Sequence, residues 1–251
     1  MRKFRSSAWM KIGVTLFTLA LTACGGGGGG GGAPPVPIAS AGIYSGTVTP
    51  NSAAVPFFVV GLMTTDNRVG FFASGIVNDT VAVIGTRSNN TITGTLFNGA
   101  YNPSAAPMSG QITSVSGNNI GGVYTSSIES GSFSLVADQN LYSRGASLAK
   151  ITGTWVDAVH TSGAGTTTWI IQPNGAFSMA SVSGCAATGV FSLIDASKNE
   201  YGVNLTVTNC PGVNGAYIGA GALSDFNAAD DMFTFMFSNG TAGGAFAPIK
   251  Q

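Results

Sequence analysis

The sequence predicts an all-β protein made of two tandem small antiparallel β-barrels with about eight strands each. Three observations carry that expectation. From Gly42 onward, short runs rich in Val, Ile, Thr, Phe and Tyr recur about every 8 to 12 residues, separated by Gly, Asn, Asp and Pro, which is the spacing of a sandwich or barrel. The pattern occurs twice: "GIYSGTV" at Gly42 and "ITGTWVD" at Ile151 open two copies of similar length and order. Only 8% of the residues are charged, too few to guard open sheet edges, and closing each sheet on itself removes those edges. That third point favours two barrels over two β-sandwiches, the alternative the same strand spacing allows.

Before the first strand come "MRKFRSSAWMK", with Arg2, Lys3, Arg5 and Lys11, then the apolar run Ile12 to Leu21, then Thr22-Ala23-Cys24. Basic, apolar and small-residue segments in that order predict a secretory signal over residues 1–23. The apolar run is shorter than the roughly 20 residues a membrane-spanning helix needs. Leu21-Thr22-Ala23-Cys24 resembles the lipobox of bacterial lipoproteins. The resemblance implies cleavage before Cys24, acylation (palmitate-type) of its thiol, and a lipid bilayer as the first partner. Gly25 in place of aspartate implies sorting to the outer membrane. Residues 24–40, with eight consecutive glycines and "APPVP", predict a disordered tether, because Gly-rich chains are flexible coils and Pro-rich ones extended spacers. The glycines also match G-x-G-x-x-G, but no strand precedes them and no helix follows, so no dinucleotide site is inferred.

The N-terminal domain, 41–137, is expected to hold strands at Ile43–Thr49, Phe57–Met63, Val69–Ser74, Val81–Thr86, Thr91–Phe97, Met108–Ser114, Ile120–Thr125 and Ser132–Ala137. Turns such as "TTDNR", "RSNN" and "VSGNN" separate them, since Asn, Asp and Gly suit turn backbone. Residues 138–150, "DQNLYSRGASLAK", lack the strand pattern and predict a linker in which "SLAK" forms one helical turn capped by Ser147. The C-terminal domain, 151–251, is expected to hold Ile151–Ala158, Thr167–Gln172, Ala176–Ser181, Ala186–Ile194, Tyr201–Thr208, Gly215–Ala222, Met232–Ser238 and Gly244–Ile249. Each half contains a complete strand set, so the two are expected to fold separately.

Export to an oxidising compartment, with Cys24 acylated, leaves Cys185 and Cys210 to form a disulfide. A hairpin centred on Ser197 and Lys198 sets them face to face, within bridging distance. The same register pairs Phe191 with Asn204, an inward residue with an outward one. The apolar faces would prefer Phe191 with Leu205, so a bulge is expected between the strands.

Removal of residues 1–23 leaves six basic residues against ten acidic ones, a balance that argues against nucleic acid as a partner. Among possible sites, His160 in "DAVHTSGAG" follows Asp157 by three residues, but G-x-S-x-G is absent and a loop histidine is the plainer reading. Asp225, Asp230 and Asp231 in "SDFNAADD" could supply oxygen ligands to calcium, though their spacing fits no EF-hand. No catalytic residue, cofactor-binding residue or metal ligand is therefore assigned, and the chain is expected not to be an enzyme. The aromatics Trp155, Trp169, Phe177, Phe233, Phe235 and Phe237 fall in alternating strand patterns and are expected in a core.

Gly153-Thr154-Trp155 resembles the G-x-W that opens the lipocalin fold, implying that Trp155 closes a barrel floor. More of the chain resembles surface lipoproteins of the transferrin-binding and factor-H-binding kind. The shared features are a lipidated cysteine, a glycine tether, tandem small barrel units and a glycine-rich aromatic final strand, here "GTAGGAFAPIKQ". That resemblance implies capture of a macromolecule, protein or glycan, by exposed loops at the cell surface; no binding residue is matched. The expected function is thus an outer-membrane-anchored, non-enzymatic binding or adhesive module with a packed interior. The alternatives are an envelope glycan hydrolase using dispersed carboxylates, or a structural accessory of an envelope assembly.

Overall fold

Strands β1 (Gly42–Pro50), β2 (Phe57–Met63), β3 (Arg68–Ala73), β4 (Val81–Ser88), β5 (Thr91–Asn98), β6 (Ser104–Ser116), β7 (Asn119–Ser126) and β8 (Ser130–Asp138) each pair antiparallel with the next. β8 returns to β1, with Tyr44 opposite Ala137, so the ladder closes into a barrel. These features belong to a computed structural model that describes residues 35–52, 55–73, 81–98, 104–157, 166–181 and 184–251.

The second barrel runs through β9 (Gly153–Asp157), β10 (Thr167–Ile171), β11 (Ala176–Ser181), β12 (Ala186–Asp195), β13 (Glu200–Thr208), β14 (Gly215–Ser224) and β15 (Met232–Ser238). Its last strand comes in two pieces, β16 (Gly243–Phe246) and β17 (Ile249–Lys250), lying in line along β15. Pro248 stands at the break, where a residue without an N–H cannot continue the ladder; its carbonyl still accepts from the Phe233 N–H at 3.0 Å. β17 pairs with β9, and this closes the second eight-stranded barrel. The sandwich alternative is thereby set aside.

The abundance of glycine, 37 residues, has a structural cause inside these strands. At Gly219 in β14 a Cβ would lie 1.8 Å from the Met236 carbonyl oxygen of β15. Gly85 and Gly94 face each other across β4 and β5, where Cβ atoms would come within 2.1 and 2.4 Å of the neighbouring strand's carbonyls. Strands coiled tightly enough to close a small barrel approach more closely than any side chain allows, and glycine is the residue that permits it.

The two interiors differ in content. Barrel 2 encloses Trp155, Trp169, Phe177, Phe191, Tyr201, Tyr217, Phe233, Phe235 and Phe237. Their rings meet edge to face or tilted, for instance Trp169 on Phe235 with centroids 4.8 Å apart, an arrangement that adds to simple area burial. Barrel 1 is filled mainly by aliphatic and methionine side chains, with Tyr44, Phe71 and Tyr124.

Outward-facing apolar residues join the barrels. Phe72, Ala82, Ile84 and Phe97 of barrel 1 pack with Met236 and Ala245 of barrel 2, and Leu62 packs with Tyr142, Ala220 and Ala222. Residues Val36–Gln251 form one compact unit. The linker is part of it. α1 (Gln139–Tyr142) is capped by Asp138, whose carboxylate accepts from the Leu141 N–H, and Tyr142 and Ile151 are buried. α2 (Leu148–Ile151) follows Ser147 as expected, but the Ser147 side chain makes no capping bond. The Lys150 N–H instead reaches the Ser147 backbone carbonyl at 3.2 Å.

The chain also joins barrel 1 earlier than residue 41. Ala39 is buried and its N–H donates to Asn90 Oδ1 at 3.1 Å. Asn90 in turn donates to the Pro37 carbonyl at 2.9 Å, and Arg87 donates to the Ala39 carbonyl.

Candidate functional site

Cys24 and His160 lie outside the described residues, so their surroundings add nothing to the site. Cys185 and Cys210 form the expected disulfide, with S–S 2.06 Å and Cα atoms 4.7 Å apart. The bulge between their strands is also present, at Leu193/Asp195, though it shifts the register the other way: Phe191 faces Val203, and Leu205 faces Gly189. Either shift restores inward residues to inward partners, because one extra residue flips the face of everything beyond it. At the far end Asn209 adopts φ +57°, a left-handed turn after which Cys210, two positions past the last paired residue Thr208, lies opposite Cys185, one position before Ala186.

The acidic loop is held by cations already in the chain. Asp225 receives a two-pronged contact from Arg144, at 2.5 and 2.7 Å, which is the first cause holding its carboxyl below the usual range. Asp230 pairs with Lys150 at 3.0 Å. Asp231 accepts from the backbone N–H groups of Phe226, Asn227 and Ala228 at 2.7, 2.9 and 2.8 Å. The three carboxylates thus fasten the loop rather than converge as calcium ligands. Trp155 is fully buried, donates to the Ile151 carbonyl at 2.7 Å, and is covered by Lys250 at 5.3 Å from a ring centroid. This is a structural role.

Glu200 is a fully buried carboxylate that sequence reasoning passed over. It accepts from Tyr142 Oη at 2.8 Å, from the Thr65 N–H at 3.0 Å and from Thr65 Oγ1. One side chain of barrel 2 is therefore bonded to the linker and to the β2–β3 turn of barrel 1. Burial, then the bond to Glu200, pushes the Tyr142 phenol well above its ordinary range. Arg68 adds a second polar tie, donating to the Gly219 carbonyl at 2.6 Å.

Two concavities lie among the described residues. The first is a groove of about 330 Å³ between the barrels, lined by Arg68, Gly94, Thr95, Met236 and Gly240, with Ile218 at its edge and 63% exposed. The second lies inside barrel 1: an apolar cavity of about 70 Å³ among Val59, Phe71, Ile92, Leu96, Met108 and Leu135. The packed interior expected from the strand pattern holds for the aromatic barrel 2, whereas barrel 1 keeps this void. Val48, Phe57 and Phe133, adjacent across β1, β2 and β8, are half-buried members of the cavity's lining, as is Val83. The β1–β2 and β7–β8 turns carry Val55, 72% exposed, and Ile128, 45% exposed. The Tyr124 phenol, also in the lining, is pushed up to about 12, first by burial and then by Glu129.

No family model, curated protein or solved structure matches this chain.

Proposed function

We propose that this chain is an outer-membrane lipoprotein, held by the acylated Cys24, whose paired barrels act as a non-enzymatic binding or adhesive module for a macromolecule at the cell surface. The observation that carries the proposal is the order of parts in the chain: signal, lipobox cysteine and glycine tether, followed by one compact unit. A flexible spacer after a lipid anchor extends reach toward something large.

The fold supports an outward orientation. The tether ends against Asn90 in the β4–β5 turn, whereas the β1–β2 and β7–β8 turns with Val55 and Ile128 lie at the opposite end of barrel 1. These turns face away from the point where the tether joins. A binding role over a hydrolytic one is supported by the employment of eight of the ten carboxylates. Asp66 pairs with Arg68, Asp138 caps α1, Asp195 closes its own turn, and Glu129, Glu200, Asp225, Asp230 and Asp231 each hold local structure.

Protease shaving of intact cells followed by pull-down with the soluble chain tests the proposal. Removal of the protein by shaving and recovery of a saturable partner are expected. Protection in intact cells overturns surface exposure. Turnover of a glycan that is lost on removing one carboxylate overturns the non-enzymatic role.

A further inference from the structure

The cavity in barrel 1 has an identifiable cause. β6 points Ala106, Met108, Gly110 and Ile112 inward, while Ala105, Pro107, Ser109 and Gln111 are exposed. Gly110 therefore occupies a position that ordinarily carries a core side chain. Other inward glycines of this barrel are closed off, either by a neighbouring strand's backbone, as at Gly46, Gly85 and Gly94, or by rings: Phe71 lies over Gly61, Phe133 over Gly122 and Tyr124 over Gly131, each so close that a Cβ would fall within 2.9 Å of the ring. Gly110 is not covered. A Cβ there would meet nothing nearer than Ile92 Cβ at 3.5 Å and Met108 Sδ and the Val123 carbonyl at 3.6 Å, which is ordinary contact. A side chain fits at 110 and the chain leaves it out, so the void persists against the close packing that interiors otherwise reach.

The surroundings of this void select a ligand. Its walls are carbon, so a polar or charged group would enter unpaired at a large cost. Among the described residues its half-buried lining is Val48, Phe57, Val83 and Phe133, the rest being buried. Among the described lining residues Tyr124 alone has a polar side chain. Barrel 2, of the same architecture, fills the corresponding space with aromatic rings. We infer that barrel 1 is a binding site for a small hydrocarbon group, either a single ring or the last few carbons of a chain. The group enters past the half-buried side chains and is kept there by the space at Gly110. Any polar end of the ligand stays at the Tyr124 hydroxyl or in water.

Methyl-labelled NMR titration of the soluble chain with benzene and, separately, with hexanoate tests the site. Expected are saturable shifts of the Met108, Leu96 and Leu135 methyls with at least one probe, without matching shifts of Met179 and Leu205 in barrel 2. Binding of benzene alone, or of hexanoate alone, supports the site and reports its preferred shape. Gly110→Val, which fills the void, should weaken binding by at least about tenfold, since one methylene in an apolar pocket changes affinity on that scale. Val83→Phe fills it from the opposite wall and serves if Gly110→Val does not fold. Absence of saturable shifts with both probes, or unchanged affinity in the filled variants, overturns the inference.

Discussion

Two glycine-to-alanine substitutions, both on inward-facing strand positions, should change stability in opposite directions. At Gly110 the added methyl makes only ordinary contacts, the nearest at 3.5 Å, and the site needs no left-handed backbone. Restricting the unfolded chain contributes about 0.4–1 kcal/mol, and burying one methyl about 0.8 kcal/mol more. Gly110→Ala should therefore stabilise by about 1–2 kcal/mol. At Gly219 the same methyl would lie 1.8 Å from the Met236 carbonyl oxygen, so β14 and β15 must part by more than an ångström along the seam that closes barrel 2. Overpacking of that kind costs about 1–3 kcal/mol, and here the displaced atom is backbone, which places the cost at the upper end. After subtracting the same unfolded-state gain, Gly219→Ala should destabilise by about 2 kcal/mol.

For a unit of this size each kcal/mol moves Tm by about 2–4 °C. Thermal and urea unfolding followed by near-ultraviolet circular dichroism should place Gly110→Ala a few degrees above the natural chain and Gly219→Ala clearly below it, with little change in denaturant slope. A Gly219→Ala protein as stable as the natural chain would refute the claim that glycine is required for strand closure. A Gly110→Ala protein less stable than the natural chain would refute the claim that Gly110 leaves usable space.

Three further outcomes follow from particular residues. Cys24→Ala should abolish incorporation of radiolabelled fatty acid and release a soluble form; labelling that survives the substitution refutes the anchor. Replacing both Cys185 and Cys210 with serine frees a loop whose ends are 25 residues apart, a loss of about 3.5 kcal/mol on the loop-entropy relation, read as a lower urea midpoint. The Asp225 carboxyl, lowered first by its bond to Arg144, stabilises the fold above the ordinary carboxylate range, and that contribution is lost as pH falls through the depressed folded-state value. Tm should therefore drop on acidification below about pH 4, and Arg144→Ala should flatten the drop; an unchanged profile in the variant counts against the pairing.

The strands were legible because alternation with period two survives in most of them: β7 buries every second residue from Ile120 to Tyr124, and β8 does so from Gly131 to Ala137 except that Phe133 is half-buried. The interface between barrels was not, because it erases that alternation. In β3 the five residues from Val69 to Ala73 are all buried, half by the core of barrel 1 and half by Met236 and its neighbours. A run apolar on both sides looks the same in sequence whether its second side meets another domain or lies in a wider sheet. Glu200 escaped notice for a related reason. Its partners, Thr65 and Tyr142, are separated from it by 135 and 58 positions, and a lone glutamate opening a strand looks like a solvated turn residue. The disulfide was within reach, since it needed only compartment, cysteine count and hairpin geometry. The direction of the bulge was not, because both shifts satisfy the inward–outward pattern and only packing against Val203 separates them.

The joint between the barrels bears on the proposed tethered arrangement. Had residues 138–150 been a flexible linker, the chain would hold two independently moving heads on one anchor, and a partner would pay the entropy of aligning them. Instead Tyr142 and Ile151 are buried in the linker itself. Glu200 ties both neighbours through hydrogen bonds, and Phe72, Ile84 and Phe97 would be left on an open surface if the barrels parted. Exposing such side chains to water is unfavourable at about 25 cal/mol per Å², which opposes separation. A preorganised body loses little freedom on binding. On the lipoprotein proposal, reach and rigidity would then fall to different parts of the chain, the one to the glycine run and the other to the fused barrels.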